Sequence, residues 1–252
     1  MKVSIITPTF NSERFIEETI RSILVQTYHD WELLITDDAS ADHTVNIVKK
    51  FAGIDQRIKL FQLNENMGAA TARRHSIDQA TGRFIAFCDS DDLWTPDKLE
   101  KQIGFMLVNN YVFTFAPYHI IDEDGKELGL STTRSKVNYR DILRTCDIGC
   151  LTAVYDRHHL GNMYMANIKK RHDYTLWLEI LRKIQYAYSY PEPLGYYRLR
   201  PHSISKNKMK TMYYIWKVYR DVEKIPFARS LWYLIVYAFY GLKKYIPLYR
   251  KG

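Results

Sequence analysis

Short apolar runs and stretches with apolar residues returning every third or fourth position take turns along the first hundred residues. Residues 3–7 read as a buried strand, and Ile16, Ile20, Ile23 and Leu24 then repeat at helical spacing. A second strand is predicted over 31–36, a helix over 44–51 and a third strand over 58–63. A helix over 69–80, stopped by Gly82, leads to a fourth strand over 84–88. Thr95-Pro96-Asp97 opens another helix, with Thr as cap, Pro at the first helical position and Asp near the positive end of the dipole. Strands alternating with helices predict an α/β fold with a doubly wound, mostly parallel sheet. The second half is less regular. It suggests a strand over 111–118, a turn over 122–125, helices over 138–145 and 174–183, and a strand pair at 186–190 and 195–199. Two helices, near 208–223 and 228–245, close the chain, and a soft boundary falls near Asn207.

Composition, 252 residues at 46% hydrophobic, allows one large domain or one domain with a small appendage, and an ordinary 25% of charged residues argues against wholesale disorder. The net charge of +8 suggests nucleic acid until its distribution is read. From residue 205 onward eleven Lys/Arg face two acids, whereas the remainder carries 25 against 26. The main domain is therefore neutral, which argues against nucleic acid, and the basicity belongs to the tail. That tail also carries Trp216, Tyr219, Phe227, Trp232, Tyr233, Tyr237, Phe239 and Tyr240, the mixture expected of a helix lying at a membrane surface. Leu231, Leu234, Ile235, Ala238, Phe239 and Leu242 fit helical spacing, which suits packing on the domain or on lipid. Lys243, Lys244, Arg250 and Lys251 favour lipid. No signal-peptide pattern and no run of ~20 apolar residues is seen. Three cysteines, Cys88, Cys146 and Cys150, lack zinc spacing. The expected location is cytoplasmic, peripheral on the inner membrane face.

In an open parallel sheet, ligands bind where the strands end. Thr7-Pro8-Thr9-Phe10-Asn11 follows the first strand, Asp37-Asp38 the second, and Asp89-Ser90-Asp91-Asp92 the fourth. Five carboxylates on one rim repel one another unless something positive compensates. A divalent cation, Mg2+ or Mn2+, suits such oxygen ligands. Residues i and i+2 on an extended segment point the same way, so Asp89 and Asp91 can address one metal or one diphosphate. No GxGxxG and no GxxxxGK[ST] is present, which leaves phosphate to the metal.

These blocks resemble glycosyltransferase family 2, of GT-A fold. The matching pieces are 3–11, Asp37-Asp38-Ala39-Ser40 with Asp42 and Thr44, Asn66-Met67-Gly68 with Ala72-Arg73, and 82–92. Weaker matches follow at His172-Asp173-Tyr174 with Leu176-Trp177-Leu178, and from Tyr197-Arg198 to Ser205. The resemblance implies a GT-A domain over 1–206, with a nucleotide-sugar-binding half (1–110) and an acceptor-binding half (111–206), before a helical tail at 207–252. Pro8, Thr9, Phe10, Asn11 and Asp38 would hold the nucleoside; Arg73, Asp89, Ser90 and Asp91 would face the diphosphate; Asp91 with Asp89 would hold the metal. Asp173 would be the catalytic base. Trp94, Trp177, Arg198 and His202 are acceptor-side candidates, Arg198 and His202 on a loop with Arg200 that would close over the diphosphate. Plain alternatives exist: an Asx-turn role for Asp38, a helix N-terminal acid at Asp173 with Glu179 as rival base, a structural ion pair for Arg73, and core packing for both tryptophans. The family often shows Glu-Asp where this chain has His172-Asp173.

The implied activity is inverting, β-linkage-forming transfer of a hexose from a UDP-sugar to a hydroxyl of a lipid-linked surface glycan such as O-antigen, capsule or lipooligosaccharide. A sugar-phosphate nucleotidyltransferase and a non-catalytic, membrane-docked binding module are the rival readings.

Overall fold

The computed structural model describes residues 1–200 and 208–249. Its first half repeats strand and helix: β1 (Val3–Thr9), α1 (Ile16–Leu24), β2 (Trp31–Asp37), α2 (Thr44–Ile54), β3 (Ile58–Gln62), α3 (Ala69–Asp78) and β4 (Phe84–Phe87). The four strands are parallel in the order β3-β2-β1-β4. β1 and β2 are buried along their whole length because helices cover both faces, which explains their unbroken apolar runs. Side chains still alternate: Val3, Ile5, Leu33 and Ile35 join the α1 side, and Ile6 and Leu34 the other.

After β5 (Leu93–Trp94) and α4 (Lys98–Asn109) the chain adds β6 (Phe113–Phe115), β7 (His119–Ile121), β8 (Glu127–Leu130), β9 (Lys136–Val137), α5 (Tyr139–Arg144), β10 (Val154–Asp156), α6 (Arg157–Leu160), α7 (His172–Lys183), β11 (Ala187–Ser189) and β12 (Gly195–Arg198). The large sheet has eight strands, β3-β2-β1-β4-β10-β6-β11-β9, and β10 runs antiparallel to both neighbours. A second, four-stranded sheet has the order β5-β12-β7-β8. The α/β, GT-A-like expectation is met, with this mixed half and small sheet added. Segments 186–190 and 195–199, expected to pair, separate instead: β11 lies beside β6, and β12 lies between β5 and β7. Pro191 and Pro193 cannot donate to a ladder, and the chain crosses between sheets there.

Gly82 does not stop α3, which ends at Asp78 with Gln79 as its cap. Its role is close approach: its N–H donates to Ser4 Oγ at 2.8 Å, and an added Cβ would lie 2.6 Å from the Ser4 backbone nitrogen.

The tail comprises α8 (Lys208–Lys217), a π-helical turn over Val218–Val222 and α9 (Phe227–Tyr249). Ile215, Val218 and Tyr219 are fully buried in the same core as Tyr174 and Trp177. On α9, Ser230 is buried and Tyr233, Leu234 and Tyr237 pack against that core. At 3.6 residues per turn Leu231, Trp232, Ile235 and Phe239 fall on the opposite face, and they are exposed. Lys243 and Lys244 side chains, and Arg250 and Lys251, lie outside the described residues. No helix of the described residues is long and apolar enough to cross a membrane.

Candidate active site

The end of β1 turns sharply at Asn11, φ 46°, a left-handed conformation that Asn tolerates better than most residues. Asn11 Oδ1 accepts from the Ala41 N–H at 2.9 Å, and its own N–H donates to Ser40 Oγ at 2.9 Å. The β1 and β2 ends are thereby held side by side. Pro8 and Thr9 are the last residues of β1, and Thr9 Oγ1 is buried without a partner. Phe10 stands out at 45% exposure. The two aspartates after β2 divide their work. Asp37 accepts from Ser40 N–H and Oγ at 2.9 and 2.5 Å, so it, not Asp38, braces the turn after β2. Asp38 accepts from the N–H groups of Met67 and Gly68 at 2.7 and 2.8 Å, which pins the start of α3 beneath the β2 end.

At the end of β4, Ser90 Oγ meets Ser12 Oγ at 2.8 Å and ties this loop to the β1 turn. Asp89 accepts from the buried Arg73 of α3, whose Nη1 lies 2.6 Å from His172 Nε2. A guanidinium only donates, so Nε2 accepts and the ring proton sits on Nδ1. Burial, reinforced by the Arg73 charge, takes the His172 pKa down to about 4, so the imidazole is neutral at physiological pH. Arg73 thus bridges the β4 loop to the head of α7. Asp173 lies in that first turn, close enough to help hold the Arg73 charge. Its carboxylate makes no hydrogen bond or ion pair with any described residue.

Asp91 Oδ2 pairs with Arg200 Nη2 at 2.7 Å. Burial pushes the Asp91 carboxyl above the usual range despite Arg200, and the neighbouring Asp89 pushes it further. Asp92 is buried; desolvation and the other two acids raise it well above normal, while the Arg198 N–H donates to Oδ1 at 3.0 Å. Arg73, Arg198 and Arg200 bring positive charge to the row of acids, yet the Asp91 and Asp92 carboxyls stay raised.

Three acceptor-side expectations are also corrected. Arg198 is a fully buried clamp: it donates to the Asp91 and Glu123 carbonyls at 3.0 and 2.9 Å and to Glu18 Oε2 at 2.6 Å, above the Phe15 ring. Trp177 is buried between Phe87 and Phe113, and Trp94 is buried with Nε1 donating to the Leu151 carbonyl at 2.7 Å. Neither indole offers a face to a sugar, because the apolar area of tryptophan is worth most inside the core. His202 lies outside the described residues. Pattern reading gave no role to Cys150, a half-buried thiol close enough to Asp89, Arg73 and Asp173 for their charges to act on it, and missed Glu18, the acid that holds Arg198. No local signal marks either.

Among the described residues no three His, Cys, Asp or Glu side chains are placed to hold an ion by themselves. The donor set fits a Mg2+- or Mn2+-like ion that takes one or two carboxylates and leaves its other positions to phosphate and water: Asp91 is oxygen-only, crowded by Asp89 and raised by burial, so a cation there relieves charge.

A profile of the family described as Glycosyl transferase family 2 matches residues 4–162. The putative teichuronic acid biosynthesis glycosyltransferase TuaG of Bacillus subtilis (strain 168) is 42% identical over 243 residues, 96% of each chain. The UDP-Glc:alpha-D-GlcNAc-diphosphoundecaprenol beta-1,3-glucosyltransferase WfgD of Escherichia coli is 42% identical over 251 residues, 99% of this chain and 97% of its own. Among solved structures, S. aureus TarS 1-349 in complex with UDP-GlcNAc superposes with a TM-score of 0.72 at 21% identity, over 94% of this chain and 72% of that one.

Proposed function

The chain belongs to glycosyl transferase family 2, and from that premise we propose that it is an inverting transferase moving a hexose from a UDP-sugar to a hydroxyl of a lipid-diphosphate-linked glycan. The observation that carries this reading is the Asp173 carboxylate at the head of α7, without a hydrogen bond or ion pair among the described residues, on a turn tied through His172 and Arg73 to Asp89. The similarity to WfgD, along nearly the whole of both chains, supports a UDP-hexose donor, a diphosphate-linked lipid acceptor and a β-linked product.

In this mechanism Pro8, Thr9, Phe10, Asn11 and Asp38 line the nucleoside side, where the β1 and β2 ends are locked together. Asp89, Ser90, Asp91 and Arg73 face the diphosphate. Asp91 with Asp89 would hold a divalent ion, which would supply Lewis-acid neutralisation of the leaving diphosphate. The acceptor oxygen bonds to the anomeric carbon as the bond to the UDP oxygen breaks, and Asp173 takes the hydroxyl proton, help worth ~10²–10⁴-fold. Neutral His172 cannot compete for that proton through Nε2, which Arg73 occupies. Attack from the face opposite the leaving group inverts the centre. The tail over 207–252 would keep the enzyme at the membrane surface, its charge and the exposed face of α9 being the support.

Release of UDP from UDP-glucose by the protein with Mn2+ and a lipid-diphosphate GlcNAc acceptor tests the assignment. Asp173→Asn should cut turnover by ~10²-fold or more with nucleotide binding retained. Undiminished turnover removes Asp173 as the base. UDP binding with no turnover by the wild type would favour the non-catalytic module, and a nucleotidyltransferase would release pyrophosphate instead.

A further inference from the structure

A cavity of about 530 Å³ opens between α5, the turn before α9 and the first turns of α9. Its apolar wall is Tyr139, Leu143, Ile225, Pro226 and Tyr233. Four cations converge on it: Arg140 and Arg144 from α5, Lys224 from the turn, and Arg229 from α9. None of the four makes an ion pair or a side-chain hydrogen bond with a described residue. The one acid in the wall is Glu223, whose Oε2 accepts from Tyr139 Oη at 2.5 Å and from Arg182 Nη1 at 3.1 Å and whose Oε1 is buried without a hydrogen bond among the described residues. Lys224 sits at φ 53°, a left-handed conformation that a lysine adopts at a cost. Four cations against one acid, itself already paired with Arg182, leave an excess of positive charge that calls for an anion from outside.

The same helix start carries the exposed apolar row. Phe227 is 62% exposed, and Leu231, Trp232, Ile235 and Phe239 continue along the face that turns away from the core. The cationic cavity and the apolar row share one end of one helix. A free anion needs the first and has no use for the second. A second copy of the chain would bring its own net positive charge. A membrane phospholipid with an anionic headgroup satisfies both, phosphate to the arginines and acyl chains to the apolar row.

We propose that this cavity is a headgroup site for an anionic phospholipid, with Leu231, Trp232, Ile235 and Phe239 entering the interface beside it. The proposal rests on the membrane-surface reading of the tail and deepens it from general basicity to a located site. α9 then couples the bilayer to the reaction centre directly, since Tyr237, further along its packed face, meets Tyr174 of α7, one residue from Asp173.

Flotation with phosphatidylglycerol and phosphatidylcholine vesicles tests it, on the intact chain. The wild type should bind the first and not the second. The exposed triple variant Arg140→Gln/Arg144→Gln/Arg229→Gln should lose about fivefold per cation, on the order of a hundredfold in all. A charge-matched control, Lys49→Gln/Lys50→Gln/Lys126→Gln, should stay close to the wild type. Leu231→Ser/Ile235→Ser should release the protein from the phosphatidylglycerol vesicles. Equal loss in the control would overturn the site in favour of diffuse charge. Full displacement by inorganic phosphate at millimolar concentration would make it a free-anion site, and vesicle-independent dimers broken by the serine variant would make the row a protein interface. No vesicle binding at all ends the membrane reading itself, while UDP release, measured in parallel, reports whether the transferase reading stands.

Discussion

Replacing Arg73 by lysine keeps a cation and removes the fork. Arg73 uses Nη2 for Asp89 and Nη1 for His172, and a single ammonium at the end of a shorter reach serves one of them. Asp89, the charged partner, keeps it. The structure then loses one charge-assisted hydrogen bond, worth about 1.5–3 kcal/mol, and seats a more strongly hydrated group in a buried position. Arg73→Met goes further, stranding the Asp89 carboxylate; because Asp89 retains 31% exposure, the cost should be near the lower end of a broken buried pair, about 3 kcal/mol. The kinetic consequence is separable. With His172 untied, the first turn of α7 carrying Asp173 is free to shift, and a misplacement of about 1 Å can cost ~10²-fold. Arg73→Lys should therefore lower kcat by about that factor, while the affinity for UDP changes only a few-fold. Urea denaturation with an unchanged m-value measures the first effect, and steady-state UDP release the second. An Arg73→Lys protein within about 0.5 kcal/mol of the wild type and with unaltered kcat would refute the bridge.

Trp177→Ala should destabilise by about 3–5 kcal/mol, read by urea midpoint, with no selective change in acceptor KM, because the indole is in the core. Gly82→Ala forces a Cβ against the Ser4 backbone at 2.6 Å and should cost about 1–3 kcal/mol, which denaturation can check. Stability should fall with pH in two windows. His172, lowered from 6.5 to about 4, binds its proton more weakly folded than unfolded, so its contribution is complete above pH 6.5 and is lost as pH falls toward 4; His172→Gln should flatten that window alone. Glu32 is lowered from 4.5 to about 2: burial would raise it, but donors from Ser4 and Thr81 and the Lys59 ammonium prevail, so about 3 kcal/mol present above pH 4.5 should vanish toward pH 2, and Glu32→Gln should remove that slope.

The first four strands, the helices between them and the placement of acids at strand ends were legible in the chain, because period and burial are local properties and a right-handed parallel crossover leaves little choice of edge. Of the strands that build the mixed half and the second sheet, β6, β11 and β12 fall inside predicted segments, whereas β5, β7, β9 and β10, two or three residues long, are too short to show a period. The acid row illustrates the divide. Its membership could be read from spacing, but its partners could not. Arg198 reaches Glu18 across 180 positions, and Arg73 reaches His172 across 99. Nor does a tryptophan announce whether it lines a groove or fills a core, and Gly82 looks the same as a helix stop and as a point of backbone contact. Local pattern is written residue by residue in the chain, whereas the meeting of distant side chains depends on how whole elements pack, which no short window of sequence contains.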